Sequence, residues 1–307
     1  MTRVSIGTWA FRSFVPAPRP LDDVLTRIAE LGYEGIEFGA FPPDPTPELS
    51  DAAARRALRA QIEDRGLVVS GVAAGYQGTS FLRDDDPGPY LSVLERNLDF
   101  AVDLGAERLI VHAVDPPELL TEVDEDRAVE RLLGAWNRGI EAASARGVTL
   151  VWEFEPCWAF NQPRQIARIA HELAGPGFGV LYDTAHAHAV SEVGARHLDG
   201  GHTLARGQIE FLELLAGTIA HVHLLDSDGS LHGDGDPGSA STTVHVPFGQ
   251  GQVDFDRVIP ALVAAGGVTD WWTVDLCFWP DPWGAAASAR RFTGDLVARF
   301  ALNDAPA

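Results

Sequence analysis

Residues 148–156 read V-T-L-V-W-E-F-E-P, an apolar, β-branched run that turns acidic only at its C-terminal end. The two-residue period of a strand places Val151, Glu153 and Glu155 on one face and Trp152 and Phe154 on the other. A stave of a parallel α/β barrel has this character, because chemistry collects at the C-terminal mouth of its strands. The pattern recurs as G-V-L-Y-D-T-A-H at 179–186, I-A-H-V-H-L-L-D at 219–226 and W-W-T-V-D at 271–275. Each run is mainly apolar, and its last inward position is a carboxylate or an imidazole. Glu153, Asp183, His223 and Asp275 are therefore expected to converge on one rim, where one nitrogen and three oxygen donors make a divalent-metal site.

Upstream, R-V-S-I-G-T-W-A at 3–10 alternates as a first strand, Y-E-G-I-E-F at 33–38 is a second ending near Glu37, and L-V-V-S-G-V-A at 67–73 is a third. R-L-I-V-H at 108–112 is a fourth, with His112 at its end. Helical stretches are expected at 21–31, from the loop after residue 47 through 65, and at 90–104, 119–146, 163–174, up to 215, 255–265 and 284–300. Gly32, Gly66 and Gly105 fall where the first three must stop. Eight strands alternating with eight helical segments give an α/β fold, a single (β/α)8 TIM barrel over residues 1–307. A doubly wound open sheet is the alternative architecture. It is opposed by the lack of a G-x-G-x-x-G after the first strand and by polar groups spread over many strand ends. The loop at 74–89, with Asp84-Asp85-Asp86, has the length of a binding loop or lid, although three aspartates also suit a solvated turn.

The chain is 307 residues long and 46% hydrophobic, enough for a large core. Its 23 basic and 44 acidic residues give a net charge of −21, which opposes a phosphate backbone, so nucleic acid is not an expected partner. No stretch approaches the roughly 18 apolar residues of a membrane span. The N-terminus lacks the charged and apolar regions of a secretory signal. With two cysteines outside any C-x-x-C pair, the chain suits a reducing cytoplasm, and Cys157 and Cys277 read as packing residues near strand ends.

These segments resemble the xylose-isomerase-like TIM-barrel superfamily, which contains sugar isomerases and epimerases, inosose dehydratase and endonuclease IV. The resemblance rests on L-G-Y-E-G-I-E, L-G-A-E-R-L-I-V-H, G-V-T-L-V-W-E, Y-D-T-A-H, H-V-H-L-L-D and P-F-G-Q-G-Q-V-D-F, spread from about residue 6 to residue 292. It implies a divalent cation, Mn²⁺ first among Mn²⁺, Mg²⁺, Co²⁺ and Zn²⁺, on Glu153, Asp183, His223 and Asp275. It also implies a substrate-contacting role for His186. The family usually carries glutamate at the last ligand position, and Asp275 is one methylene shorter, which weakens it as a second proton shuttle. An arginine that the epimerases carry after the histidine strand is missing from D-S-D-G at 226–229.

A cation of this kind acidifies the C–H beside a carbonyl. Glu153, Asp275, His186 and His112 are the expected catalytic groups of a metal-dependent isomerase or epimerase working through an enediolate. A lyase or dehydratase on the same intermediate is the alternative, resembling inosose dehydratase or enzymes that eliminate from 3-keto-glycosides and C-glycosides. Glu155, His245, Trp158 and Trp279 are expected to bind substrate, with Phe160, Phe278 and Trp283 completing an aromatic mouth. Glu155 could instead pair with an arginine such as Arg83 or Arg164. His221 reads as a core histidine, and His188, His197, His202 and His232 as loop or surface. The chain has no lysine, and its arginines lie mostly on helices, so the expected partner is a neutral carbohydrate. A homo-oligomer, or a non-catalytic barrel acting as a subunit, is the remaining expectation.

Overall fold

The apolar strand runs close into a parallel barrel because each is buried on both faces, against helices outside and against the other strands inside. The computed structural model describes residues 2–83, 86–198, 202–233, 242–267 and 269–300. Its strands are β1 (Arg3–Gly7), β2 (Gly35–Ala40), β3 (Val68–Ala74), β4 (Arg108–Val111), β5 (Thr149–Glu153), β6 (Phe178–Asp183), β7 (Ile219–Leu224) and β8 (Trp271–Val274). They pair in sequence order around a closed parallel barrel, with β8 returning to β1. The helices are α1 (Leu21–Glu30), α2 (Ala52–Glu63), α3 (Gly88–Leu104), α4 (Glu125–Ser144), α5 (Pro163–Glu172), α6 (Thr184–His188), α7 (Gln208–Leu214), α8 (Phe255–Ala264) and α9 (Pro282–Arg299). None of these is long and apolar enough to cross a membrane.

The expected strand alternation on β5 is present. Val151 lies in an inner cluster with Trp9, Ala73, Ile110, Leu181 and Cys277, whereas Trp152 and Phe154 join the larger core between strands and helices. Helix ends follow local chemistry. The Asp51 and Asp124 side chains accept from the Ala54 and Arg127 amides as N-caps, and Gly105 ends α3 at φ 75°, a left-handed conformation open to glycine at no steric cost.

Three boundaries differ from the sequence reading. The first strand stops at Gly7, and Thr8–Phe11 forms a 3-10 turn in which Trp9 folds back over Gly7: a β-carbon there would lie 2.3 Å from the indole. The stretch 119–146 breaks into a 3-10 turn at Pro117–Thr121 and then α4. After Asp183 the chain makes short α6 and a π-helical turn, Ala189–Val193, ahead of α7. Of the aspartate run, Asp84 and Asp85 lie outside the described residues, as does 234–241 of the glycine-rich loop; Asp86 accepts from the Gly88 amide.

Under the mouth, the barrel interior holds a polar group beside that inner apolar cluster. Glu37, His221 and Thr273 are fully buried there, and the Ser5 and Thr273 hydroxyls are 2.8 Å apart. A register shift between β2 and β3 falls at Ile36/Glu37, where a local irregularity re-aims a side chain.

Candidate metal centre

Three of the four expected ligands sit at or next to the last residue of their strand: Glu153 on β5, Asp183 on β6 and Asp275 just beyond β8. His223 lies one residue before the end of β7, paired in register with Asp183. The structure brings all four together, with one donor atom from each within 4.8 Å of the others. His223 Nδ1 is 3.1 Å from Glu153 Oε1, 3.9 Å from Asp183 Oδ2 and 4.0 Å from Asp275 Oδ2.

Each donor is aimed by a second interaction. Asp183 Oδ1 caps α6 by accepting from the Ala185 and His186 amides at 2.8 and 2.7 Å, which leaves Oδ2 turned to His223 without a hydrogen bond. Asp275 Oδ1 accepts the Trp9 indole N–H at 2.5 Å. His223 is fixed from behind by Glu37, whose Oε1 accepts from Nε2 at 2.6 Å while Oε2 accepts from His221 Nε2 at 2.5 Å. A carboxylate only accepts, so both imidazoles donate through Nε2, and the Nδ1 lone pair of a neutral His223 faces the three carboxylates.

The electrostatics of these residues suit a bound cation. Burial, followed by the neighbouring carboxylates, raises Asp183 well above its usual range. Glu153 is raised by burial against the pull of His223. Burial works against the charge of Glu37, but His223 and His221 outweigh it and hold this carboxyl far below normal. Burial would lower His223, yet Glu37 and Glu153 push it well above the ordinary imidazole value. Carboxylates crowded in a dry site, with His223 Nδ1 and Asp183 Oδ2 both orphaned, are the donor set a divalent cation satisfies. Chelator-treated protein is therefore expected to gain about 2.7 kcal/mol of stability at a cation concentration 100 times Kd. Asp183→Asn, which keeps the cap but loses the anionic donor, should abolish most of that gain; an undiminished melting shift in the variant would refute the ligand set.

The remaining residues line a cavity of about 360 Å³ above these four. His112 Nε2 approaches Glu153 Oε2 at 3.7 Å and His186 Nε2 approaches Glu153 Oε1 at 4.0 Å, while His186 Nδ1 bonds the Thr243 hydroxyl at 2.9 Å. His245 Nδ1 lies 3.8 Å from Asp275 Oδ2. Burial lowers all three imidazoles, His112 to about 3, His245 to about 4 and His186 well below its usual value, so each is neutral near pH 7. Arg83, one of the arginines expected near Glu155, pairs with Glu122, and Glu155 accepts from the Cys157 thiol at 3.3 Å. Burial and then Glu153 push its pKa up to about 8.

The aromatic mouth differs from the expected one. Trp158 lines the cavity, edge-on to His112 at 4.4 Å, and so does Phe278. Trp279 does not; it packs against the outer core, as does buried Phe160, and Trp283 stacks on Phe11 at 4.1 Å. The rest of the wall comes from loops after β1, β2 and β3: Trp9, Phe14, Phe41 and Tyr76. These were missed, although each follows its strand end by a few residues, as the ligands do. Glu37 was missed as a site residue for the same reason that His221 read as core: its partner is distant in sequence. His188 is buried beside Glu192 at 3.3 Å rather than exposed.

The model of a xylose isomerase-like TIM barrel matches residues 25–292. The chain belongs to that family. Within the xylose isomerase-like barrels, it is 26% identical over 217 residues to an inosose dehydratase of Geobacillus kaustophilus (strain HTA426). That match covers 67% of this chain and 61% of the relative, so less than two thirds of the relative's length is spanned. Among solved structures, an L-ribulose 3-epimerase superposes with a TM-score of 0.73 at 19% identity, covering 99% of each chain. The IOLI protein with a bound zinc atom superposes with a TM-score of 0.69 at 17% identity, covering 97% of this chain and 99% of that one. At these identities the two structures establish the shared fold.

Proposed function

We propose that this chain is a divalent-metal-dependent isomerase or epimerase of a neutral keto-sugar or polyol. The observation that carries the reading is the convergence of Glu153, Asp183, His223 and Asp275 beneath a cavity that no arginine lines among the described residues. Glu153, Asp183, His223 and Asp275 would hold the cation, which would polarise the carbonyl of a hydroxyketone and make the adjoining C–H more acidic. The zinc carried by the IOLI protein supports a metal here; three oxygens and one imidazole suit Mn²⁺, Mg²⁺, Co²⁺ or Zn²⁺ alike, with Mn²⁺ our first choice.

Glu153 takes the proton from that carbon, being the carboxylate whose two oxygens face His112, His186 and His223 rather than capping backbone. The neutral imidazoles of His112, His186 and His245 exchange hydrogen bonds with sugar hydroxyls. Glu155, largely protonated near pH 7, donates one. Trp158 and the aromatic wall exclude water and stack on the apolar face of the sugar. Return of the proton to the neighbouring carbon gives the isomer; return from the opposite face, by Asp275, gives the epimer.

A second reading, elimination by a lyase or dehydratase, is favoured by the Asp275–Trp9 bond, which ties down the shorter of the two candidate bases. The similarity to an inosose dehydratase points the same way. Incubating metal-loaded protein with ketohexoses, inososes and 3-keto-glycosides in D₂O tests both. Deuterium gained with the skeleton intact is the expected result; release of water or an aglycone replaces it with the lyase reading, and no exchange with any of them overturns both.

A further inference from the structure

We propose a second cation site beside the first, made by His245, Asp275 and Cys277, that takes Zn²⁺ or Co²⁺ and rejects Mg²⁺. One donor atom from each of the three lies within 4.8 Å of the others, and all three residues are buried. Asp275 is common to both groups: its Oδ2 lies between His223 Nδ1 and His245 Nδ1, at 4.0 and 3.8 Å, and its Oδ1 lies 3.6 Å from Cys277 Sγ.

The imidazole is the observation that calls for a ligand. His245 is 2% exposed, it borders the cavity, and neither of its ring nitrogens has a hydrogen-bond partner. Buried polar atoms are almost always satisfied, and a lone imidazole with two orphaned nitrogens stands out against that rule. Its Nδ1 lies 3.8 Å from Asp275 Oδ2, too long for a hydrogen bond but a normal separation for two ligands of one ion. Cys277, which also borders the cavity, supplies a sulfur donor on the same carboxylate.

The donor set selects the ion. Nitrogen, sulfur and oxygen together match the preferences of Zn²⁺ and Co²⁺, whereas Mg²⁺ takes oxygen and holds its waters. Three protein ligands leave one position open toward the cavity, the arrangement of zinc sites that bind water or substrate. As the ion binds, the Cys277 thiol gives its proton to solvent and the thiolate takes the metal. The Glu153, Asp183, His223 and Asp275 site, by contrast, has no sulfur and accepts the hard ions as well. The new site shares one residue with the proton-transfer reading but does not depend on that chemistry.

The test is stoichiometry read beside absorption, on the full chain stripped with a chelator. Mn²⁺ or Mg²⁺ should bind in one equivalent. Co²⁺ should bind in two, the second bringing a near-ultraviolet thiolate-to-cobalt charge-transfer band. Cys277→Ser should lose the band and one equivalent, His245→Gln should lose one equivalent, and Cys157→Ser should keep both. One equivalent of Co²⁺ without the band, or a band that survives Cys277→Ser and disappears with Cys157→Ser, overturns the second site and leaves the first intact. No equivalent of any cation removes both sites. Should Cys277→Ser fail to fold, the wild-type titration and His245→Gln still decide.

Discussion

Glu153→Gln should lower turnover by about 10²–10⁴-fold at saturating metal, the range expected when a positioned proton-transfer group is removed. That corresponds to about 3–5 kcal/mol of barrier. Glutamine keeps the shape of the side chain and an oxygen that can face His223, so the cavity survives while the exchangeable proton is lost. The measurement is exchange of the substrate C–H with D₂O, taken with the metal content of the variant determined alongside. Loss of exchange with metal still bound assigns Glu153 to proton transfer; exchange within tenfold of the wild type would move that role to another group.

Glu37→Gln is the second large effect. The carboxylate is fully buried and holds two imidazoles at once, so the amide leaves one of them facing a donor instead of an acceptor. Outer carboxylates that orient a ligating histidine typically account for 10–100-fold in metal affinity. A lost buried hydrogen bond to a charged group costs about 1.5–3 kcal/mol. Metal titration and denaturant unfolding should therefore both change, and they read different things. A variant that loses stability but binds metal as before would make Glu37 a packing residue and nothing more.

The barrel was legible because its strands are apolar runs with an inward period of two and its early helices stop at glycines. Both signals are local, and the β5 alternation of Val151, Trp152 and Glu153 came out as read. The converging ligands were legible for the same reason: each closes such a run. What failed was long-range. Trp9 continues the alternation of the first strand, yet it leaves the strand because its indole reaches a carboxylate 266 residues away. Glu37 meets its imidazoles across 184 and 186 residues, and nothing in the segment around it marks the pairing. The aromatic residues near the β8 end looked alike in sequence, but Phe278 turns into the cavity while Trp279 packs outside. Backbone direction after the strand, which sequence does not carry, decides that split; Phe278 itself sits at φ 60°.

Asp226 was read only as the end of the seventh strand run, but its carboxylate accepts from four amides, those of Ser227, Gly249, Gly251 and Val253, and its main chain bridges to Val246. A β-carbon at Gly251 would lie 2.2 Å from that carboxylate, so the approach depends on glycine. One side chain thus ties off both ends of the excursion that delivers His245. Such a knot fastens the two described arms of the excursion at their base, so the placement of the imidazole leans on one side chain at the strand end.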